Sequence, residues 1–531
     1  MRVPQLDFTP TLPALLTRAV EQFGDSDHVV SPTDRLTFRD ADRRSAVLAR
    51  RMLAAGVGKG TRVGIVLPSS TEFVVCFLAA ARIGALSMLF SSTYRPSELR
   101  TAVQTSDVQL LLCPSELFGV DYADQLETAF PQLASSGNPT LELDDAPYLR
   151  SVWMIGTAPH TRRAWSTSVA AEVSGAAMPG LADDALLRSV EERVTPSDLL
   201  LAILTSGTSA APKAVLHTHG TAVRKVHPSS GLGLETSTPG RRVFLVMPFF
   251  WVGGPQSLLG SLHTGSSVIC QPRFDADQAI DLLERERATH VAGWPTMAQA
   301  VRSHPEAQQR DLSSLEVPTN LPSQVRSSRG HSINMGMTET FGMHRDPRYF
   351  DYQVIDPDTG QRVPDGDEGE FCVRGYGLMA GLYGREREEV FDAEGWYHTG
   401  DRGYLEGGSI YFTGRYSEMI KAAGANVSPL EVEQALLALP HVAQAFVFGM
   451  PHPQRGEDVI AAVVPAVEAD FDAETTRAQL RDVLSAYKVP RRIVALTPAE
   501  VATLASGKPH RREIAANVRR QLNAADSHGL S

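Results

Sequence analysis

Between Leu200 and Leu216 the chain runs apolar, breaks, and turns apolar again. Leu200-Leu-Ala-Ile-Leu has the pattern of a buried strand, and Ala214-Val-Leu resumes it. The break holds Thr205, Ser206, Gly207, Thr208 and Ser209, followed by Pro212 and Lys213. Four hydroxyls around one glycine suit a loop that wraps an anion, because backbone and hydroxyl donors converge there with no Cβ in the way. The same composition also suits a plain polar turn between two strands. The phosphate loop of nucleotide-binding folds is excluded. That loop ends Gly-Lys-Ser/Thr and opens a helix, whereas Lys213 leads into another strand-like run.

The stretches before this loop alternate. Residues 10–60 read as helical, with Leu15, Ala19 and Phe23 on one face and Ala46, Leu48, Ala49, Met52 and Leu53 on a second. Arg62 to Leu67 reads as a strand, Glu72 to Arg82 as a helix and Ala85 to Phe90 as a strand. Pro96 to Thr105 reads as a helix and Val108 to Leu112 as a strand. Such alternation implies a mostly parallel, helix-covered sheet. Residues 115–195 read as less regular and carry no motif. With 531 residues, the chain exceeds one hydrophobic core, which stops growing near roughly 250–300 residues.

The formal net charge of −11 argues against a nucleic-acid surface and an anionic membrane partner. Cys76, Cys113, Cys270 and Cys372 form no Cys-x-x-Cys pair, so neither a zinc site nor a disulfide framework is expected, and a cytoplasmic location fits. The first residues lack the apolar core of a signal peptide. The apolar stretch Phe73–Phe90 is cut by Arg82 and Gly84, as a helix running into a strand would be and a membrane span would not. His217 and His219 would share one face of a strand, and with no carboxylate or cysteine beside them they read as structural. Gly330-His-Ser-Ile-Asn334 lacks the last glycine of a hydrolase elbow.

The loop, the segment Asn334-Met-Gly-Met-Thr-Glu339, Trp396-Tyr-His-Thr-Gly-Asp401, the dense block Phe412 to Glu433 and Gly507-Lys508 near the end occur in one order. Together they resemble the motifs of the adenylate-forming (AMP-binding) enzymes, in the acyl-CoA synthetase (acid–CoA ligase) branch, and the resemblance covers nearly the whole chain. It implies an α/β fold: a large N-terminal domain of helix-covered, mostly parallel sheets (1–414), a hinge (415–418) at Ser417, and a smaller mobile α+β lid (419–531). In the lid, Pro429 to Leu439 and Thr475 to Leu484 read as helices; Val442 to Phe448, Val459 to Val464 and Arg491 to Leu496 read as strands.

The resemblance also implies a two-step reaction. A carboxylic acid, aryl or compact to medium-chain aliphatic, attacks the α-phosphorus of ATP and expels pyrophosphate; the acyl group then passes from the adenylate to coenzyme A. By the same resemblance Thr205, Ser206, Gly207, Thr208 and Lys213 hold phosphate, and Thr338 contacts the α-phosphate. Glu339 binds Mg²⁺, a hard-oxygen ligand for a hard cation. Asp401 and Arg415 take the ribose hydroxyls, and Lys508 meets the charge that develops on the α-phosphate. Lys421, Gly424 and Asn426 would place the pantetheine arm in the second step.

Pro248-Phe-Phe-Trp251 and Gly253 stand where the family builds its acyl pocket, with Trp294 on a second wall. The same aromatics also suit a packed corner of the core. Trp251 replaces a frequent histidine, and its indole would shorten the pocket. Several positions depart from the family pattern. Ala210 and Ala214 replace glycines, and Met335 replaces the tyrosine that stacks on adenine. No Gly-Gly-Ala-Pro turn occurs between Glu316 and Gly330. Two other readings therefore stay open: another acceptor (a carrier protein, an amine or nitrite), or a non-catalytic binding protein on the same fold.

Overall fold

The computed structural model describes residues 3–528 apart from 157–162, 177–178, 206–212, 231–234, 294–300, 302–303, 317–335, 344–349, 423–424, 453–455, 467–470, 485–487 and 504–508. The chain divides into two compact units. The first is Met1–Ser323, Met335–Asp351 and Arg374–Trp396; the second is Gln324–Asn334, Tyr352–Val373 and Tyr397–Ser531.

Two sheets form the frame of the first unit. The larger runs, in spatial order, through Gly381–Leu382, Lys213–Thr218, Leu199–Thr205, Leu86–Leu89, Arg62–Ile65, Leu110–Pro114, Ser151–Ile155 and Ser166–Ser168. From Leu199–Thr205 onward every neighbour is parallel; the two strands at the other end pair antiparallel. The smaller sheet orders His290–Ala292, Arg242–Leu245, Ser267–Ile269, Asp27–Val30 and Arg35–Thr37, parallel except for the last pair. Helices with local stop and start signals lie between the strands. Ser70 Oγ accepts the Phe73 N–H to cap Thr71–Arg82, and Pro96 opens Pro96–Thr105 with a fixed φ and no wasted donor. Thr71–Arg82 is buried over nearly its whole length, which explains its almost continuous apolar sequence.

The expected alternation is present, and two regions differ from the expectation. Residues 10–60 are not all helical: between Leu12–Phe23 and Phe38–Ala54 lie the strands Asp27–Val30 and Arg35–Thr37. Val29 and Val30 pair with Val268 and Ile269, and Ser31 closes the turn by donating its N–H to the Asp34 carbonyl at 2.9 Å. Four residues are too short a window for helix periodicity to exclude a strand, so the distant partner decided it. Residues 115–195 also hold regular elements. Tyr122–Ala129 is a helix, and the strands Ser151–Ile155 and Ser166–Ser168 extend the large sheet.

The second unit contains a four-stranded sheet, Asp351–Ile355, Gly369–Arg374, Tyr397–Glu406 and Ser409–Arg415, and a five-stranded sheet, Ala425–Val427, Ile420–Ala422, Gly456–Pro465, Val442–His452 and Arg492–Ala495. Pro429–Leu437, Ala473–Val483 and Arg511–His528 are its main helices. Val432, Leu436 and Leu480 pack with Val447, Ala461 and Val463 into one core. Phe446, Ile460 and Val464 face the other way onto Ile514 and Val518. The five-stranded sheet is therefore covered on both faces, as its apolar strands require.

Candidate active site

The organising loop closes a hairpin. Leu199–Thr205 and Lys213–Thr218 pair antiparallel, with Thr205 directly opposite Lys213 at the base. The loop residues Ser206, Gly207 and Thr208 lie outside the described residues. A strand, not a helix, leaves the loop, as the apolar run after Lys213 requires.

Two links tie this hairpin to Thr338 and Glu339. His217, on the strand Lys213–Thr218, places its Nε2 2.8 Å from the Thr338 carbonyl. The Glu339 carbonyl accepts the Met379 N–H at 2.7 Å, and the next residue, Ala380, donates to the Leu216 carbonyl at 2.8 Å. Thr338 and Glu339 are both partly exposed. A half-exposed carboxylate on a fixed turn is a suitable hard-oxygen ligand for Mg²⁺. His217 lies on the strand and His219 opens the helix His219–Lys225, so the expected shared strand face does not exist. His219 instead accepts the Leu12 N–H on Nδ1 at 3.1 Å. Both imidazoles are buried, and desolvation lowers each to about 4, so both are neutral.

The aromatic corner divides by burial. Phe249 is sealed in the core, edge-on to Phe73 with ring centroids 5.6 Å apart. Phe250 is buried beside it, and Trp251 packs on the core while keeping part of its surface open. Gly253 begins the helix Gly253–Thr264. Trp294 and Met335 lie outside the described residues.

In the second unit Asp401 and Arg415 stand opposite each other on adjacent strands. Arg415 Nε donates to Asp401 Oδ1 at 2.8 Å, so the two expected ribose contacts form one ion pair. Thr399-Gly400-Asp401 is part of the strand Tyr397–Glu406 and not a free β-turn. Asp401 N–H donates to Thr399 Oγ1, and Gly400 N–H to Glu370 Oε1. Glu370, Cys372 and His398 form the single group among the described residues with metal-ligand side chains this close. The His398 ring lies 3.2 Å from Glu370 Oε2, an ordinary hydrogen bond. Lys421 and Asn426 are backbone register partners in the hairpin Ile420–Ala422 and Ala425–Val427. Gly424 and Lys508 lie outside the described residues, and Ser417 falls in the short turn Tyr416–Glu418. The four cysteines are free and buried, and no helix of the described residues is long and apolar enough to cross a membrane.

His217 beside Thr338, and Thr399 and Glu370 beside Asp401, were not expected among the supporting contacts. Their neighbours carry the motif, and nothing in residue type alone separates a supporting hydrogen bond from a core contact.

Comparison with known proteins gives these elements a family. The AMP-binding enzyme family matches residues 16–383, and the AMP-binding enzyme C-terminal domain matches residues 431–523. The chain is 31% identical over 95% of its length, and 99% of the relative's, to the 3-[(3aS,4S,7aS)-7a-methyl-1,5-dioxo-octahydro-1H-inden-4-yl]propanoyl:CoA ligase of Mycobacterium tuberculosis. It is 30% identical to a feruloyl-CoA synthase of an Amycolatopsis species, over 86% of this chain and 89% of that one. The crystal structure of an anthranilate CoA ligase in complex with anthranoyl-AMP has the same fold, with a TM-score of 0.77 at 19% identity over 98% of this chain and 99% of that one. The chain thus belongs to the AMP-binding enzyme family, in its adenylate-forming acyl-CoA synthetase branch.

Proposed function

We propose that this enzyme, an AMP-forming acid–thiol ligase that uses ATP, Mg²⁺ and coenzyme A, acts on a compact acid bearing a ring. A carboxylate oxygen attacks the α-phosphorus and pyrophosphate leaves. The CoA sulfur then attacks the acyl carbon and AMP leaves. Charge develops on phosphate oxygens in the first step, so the protein contributes mainly placement and electrostatics. The observation that carries the reading is the shared frame of the loop base and the Thr338–Glu339 turn, joined through His217 and through Met379-Ala380. On it Thr205 and Lys213 flank the phosphate loop, while Thr338 and Glu339 would present a hydroxyl and a Mg²⁺ ligand. The paired Asp401 and Arg415 would take the ribose, Lys508 the α-phosphate, and Lys421, Gly424 and Asn426 the pantetheine arm. We place the hinge at 415–418, with 1–414 before it and a lid at 419–531 after it.

The ring preference rests on Trp251, a large indole that is only partly buried at the end of the aromatic corner. The two relatives named for ring-bearing acyl groups support it. Free buried cysteines fit a reducing cytoplasm. The test is pyrophosphate release and acyl-CoA formation across aryl, bicyclic and straight-chain acids of increasing length. Best turnover on a ring-bearing acid with CoA is expected. Best turnover on a long straight chain overturns the substrate class. Adenylation that CoA does not discharge, while an amine, nitrite or carrier protein does, overturns the acceptor.

A further inference from the structure

The backbone from Thr338 to Gly342 is held in an uncommon shape. Phe341 has φ +48° and Gly342 φ +98°. An aromatic residue in the left-handed region is disfavoured, and such strain persists only where the surroundings over-determine it. Three carbonyls of this turn each receive a donor from a different part of the first unit. His217 reaches Thr338 O at 2.8 Å from the hairpin strand. Met379 N–H reaches Glu339 O at 2.7 Å. Gln256 Nε2 reaches Phe341 O at 2.6 Å from the helix Gly253–Thr264. The fit around Gln256 is close: a Cβ on Gly342 would stand 1.9 Å from its Nε2.

His217 makes this bond at a cost. The ring is fully buried, packs on Phe341 with centroids 4.9 Å apart, and leaves Nδ1 without a hydrogen-bond partner. An aliphatic side chain would fill the same space with no polar atom to desolvate. The bond to the Thr338 carbonyl is what the imidazole adds. Gln256 is likewise a buried amide, spent on one carbonyl of the same turn.

We propose that His217 and Gln256 are positioning residues, which hold the Thr338–Gly342 turn in the shape that presents the Thr338 hydroxyl and the Glu339 carboxylate to Mg²⁺-bound ATP. The proposal rests on the roles assigned above to Thr338 and Glu339. Both side chains act through backbone carbonyls, and neither touches the reacting atoms. Gln256 lies in the first turn of the helix that follows Trp251, so the segment that walls the acid and the turn that meets the phosphates share a fastening.

The variants are His217→Leu, His217→Gln, which keeps an amide donor, and Gln256→Leu. Each is measured for Mg²⁺-ATP binding by calorimetry, kcat and KM of pyrophosphate release, and thioester formation from synthetic acyl-adenylate. Thermal unfolding monitors the fold. Support for a metal ligand from outside typically matters by about 10–100-fold. His217→Leu should weaken Mg²⁺-ATP binding and slow adenylation by about 10-fold or more, with thioester formation unchanged within about twofold. His217→Gln should recover part of both. Parallel loss of the two half-reactions in step with lowered melting temperature overturns the proposal, as does undiminished adenylation. Gln256→Leu leaves the hairpin strand untouched and carries the test if His217→Leu is insoluble. Thr338→Ala and Glu339→Gln run alongside. If these also spare adenylation, the site assignment itself has failed; if they abolish it while His217→Leu does not, only the positioning role has.

Discussion

The proposed roles divide the two half-reactions among single residues. Lys508, in the closing Gly-Lys motif, is assigned to the charge that builds on the α-phosphate. Losing one preorganised donor of this kind costs roughly 10²–10³ in rate. Lys508→Ala should therefore lower pyrophosphate release by about that factor, while thioester formation from supplied acyl-adenylate survives. Equal loss in both assays would remove Lys508 from the role. Trp251 separates binding from packing. Phe249 is sealed against Phe73, so its truncation would report on the core, whereas Trp251 is partly exposed. Trp251→Ala should shift preference toward longer or bulkier acids, read as the ratio of kcat/KM values across the panel. An unchanged profile at retained activity would mark the indole as core. Both residues were visible as motif positions. His217 was visible only as a structural histidine paired with His219, and its partner, a backbone carbonyl 121 residues away, leaves no trace in the sequence.

Elements were legible where their own pattern is long enough. Thr71–Arg82 and Pro96–Thr105 begin at a Ser cap and at a proline, and lie within a residue of the expected bounds. Asp27–Val30 and Arg35–Thr37 were not legible, because the first is a strand through its pairing with Ser267–Ile269 more than 230 residues away, and the second through its pairing with the first. A cluster of charges then pins that edge. Glu286, with its side chain 5% exposed, accepts from Arg35 and Arg242 on two strands and from Arg285 on the preceding helix. Burial acts to raise its carboxyl, and the arginines outweigh it and leave it below the ordinary range. Arg35 and Arg242 also share Asp27. Removing the central charge leaves several partly buried guanidinium donors poorly matched, and a hydrogen bond to a charged group contributes about 1.5–3 kcal/mol. The arginines are partly exposed, which screens part of this. Glu286→Gln should cost about 1–3 kcal/mol in the urea unfolding of the first unit at neutral pH. A midpoint equal to the parent's would show that solvent already satisfies these arginines.

At the scale of the whole chain, the motif order made the family and the two-part organisation readable. The framework that holds the Thr338–Gly342 turn was not, because it is built from backbone carbonyls and buried side chains with no characteristic spacing. One further property of that interior follows from its histidines. Leaving His217 aside because it touches the Thr338–Gly342 turn, His28, His219 and His263 all lie in the first unit, and burial lowers each from 6.5 to about 4. Their neutral bonds run to the Leu258 carbonyl, from the Leu12 N–H and to the Val223 carbonyl. A histidine whose folded pKa is depressed binds its proton in the unfolded chain first. Between about pH 6.5 and 4 the unfolded state therefore holds more protons, and stability falls as pH falls through that window. Glu191, raised by burial against the pull of Arg82, acts with the opposite sign but for one proton at most. The three histidines set a slope of up to about 4 kcal/mol per pH unit for the first unit. Urea unfolding at pH 7.5, 6 and 5, followed by the fluorescence of Trp153 and Trp165, both buried in that unit, should show the midpoint dropping steadily, and His28→Gln or His263→Gln should each remove about one proton from the slope. A midpoint that stays level from pH 7.5 to 5 would mean that these imidazoles are charged or solvated in the folded protein, and that the packing around Leu12, Leu258 and Val223 is looser than the contacts described.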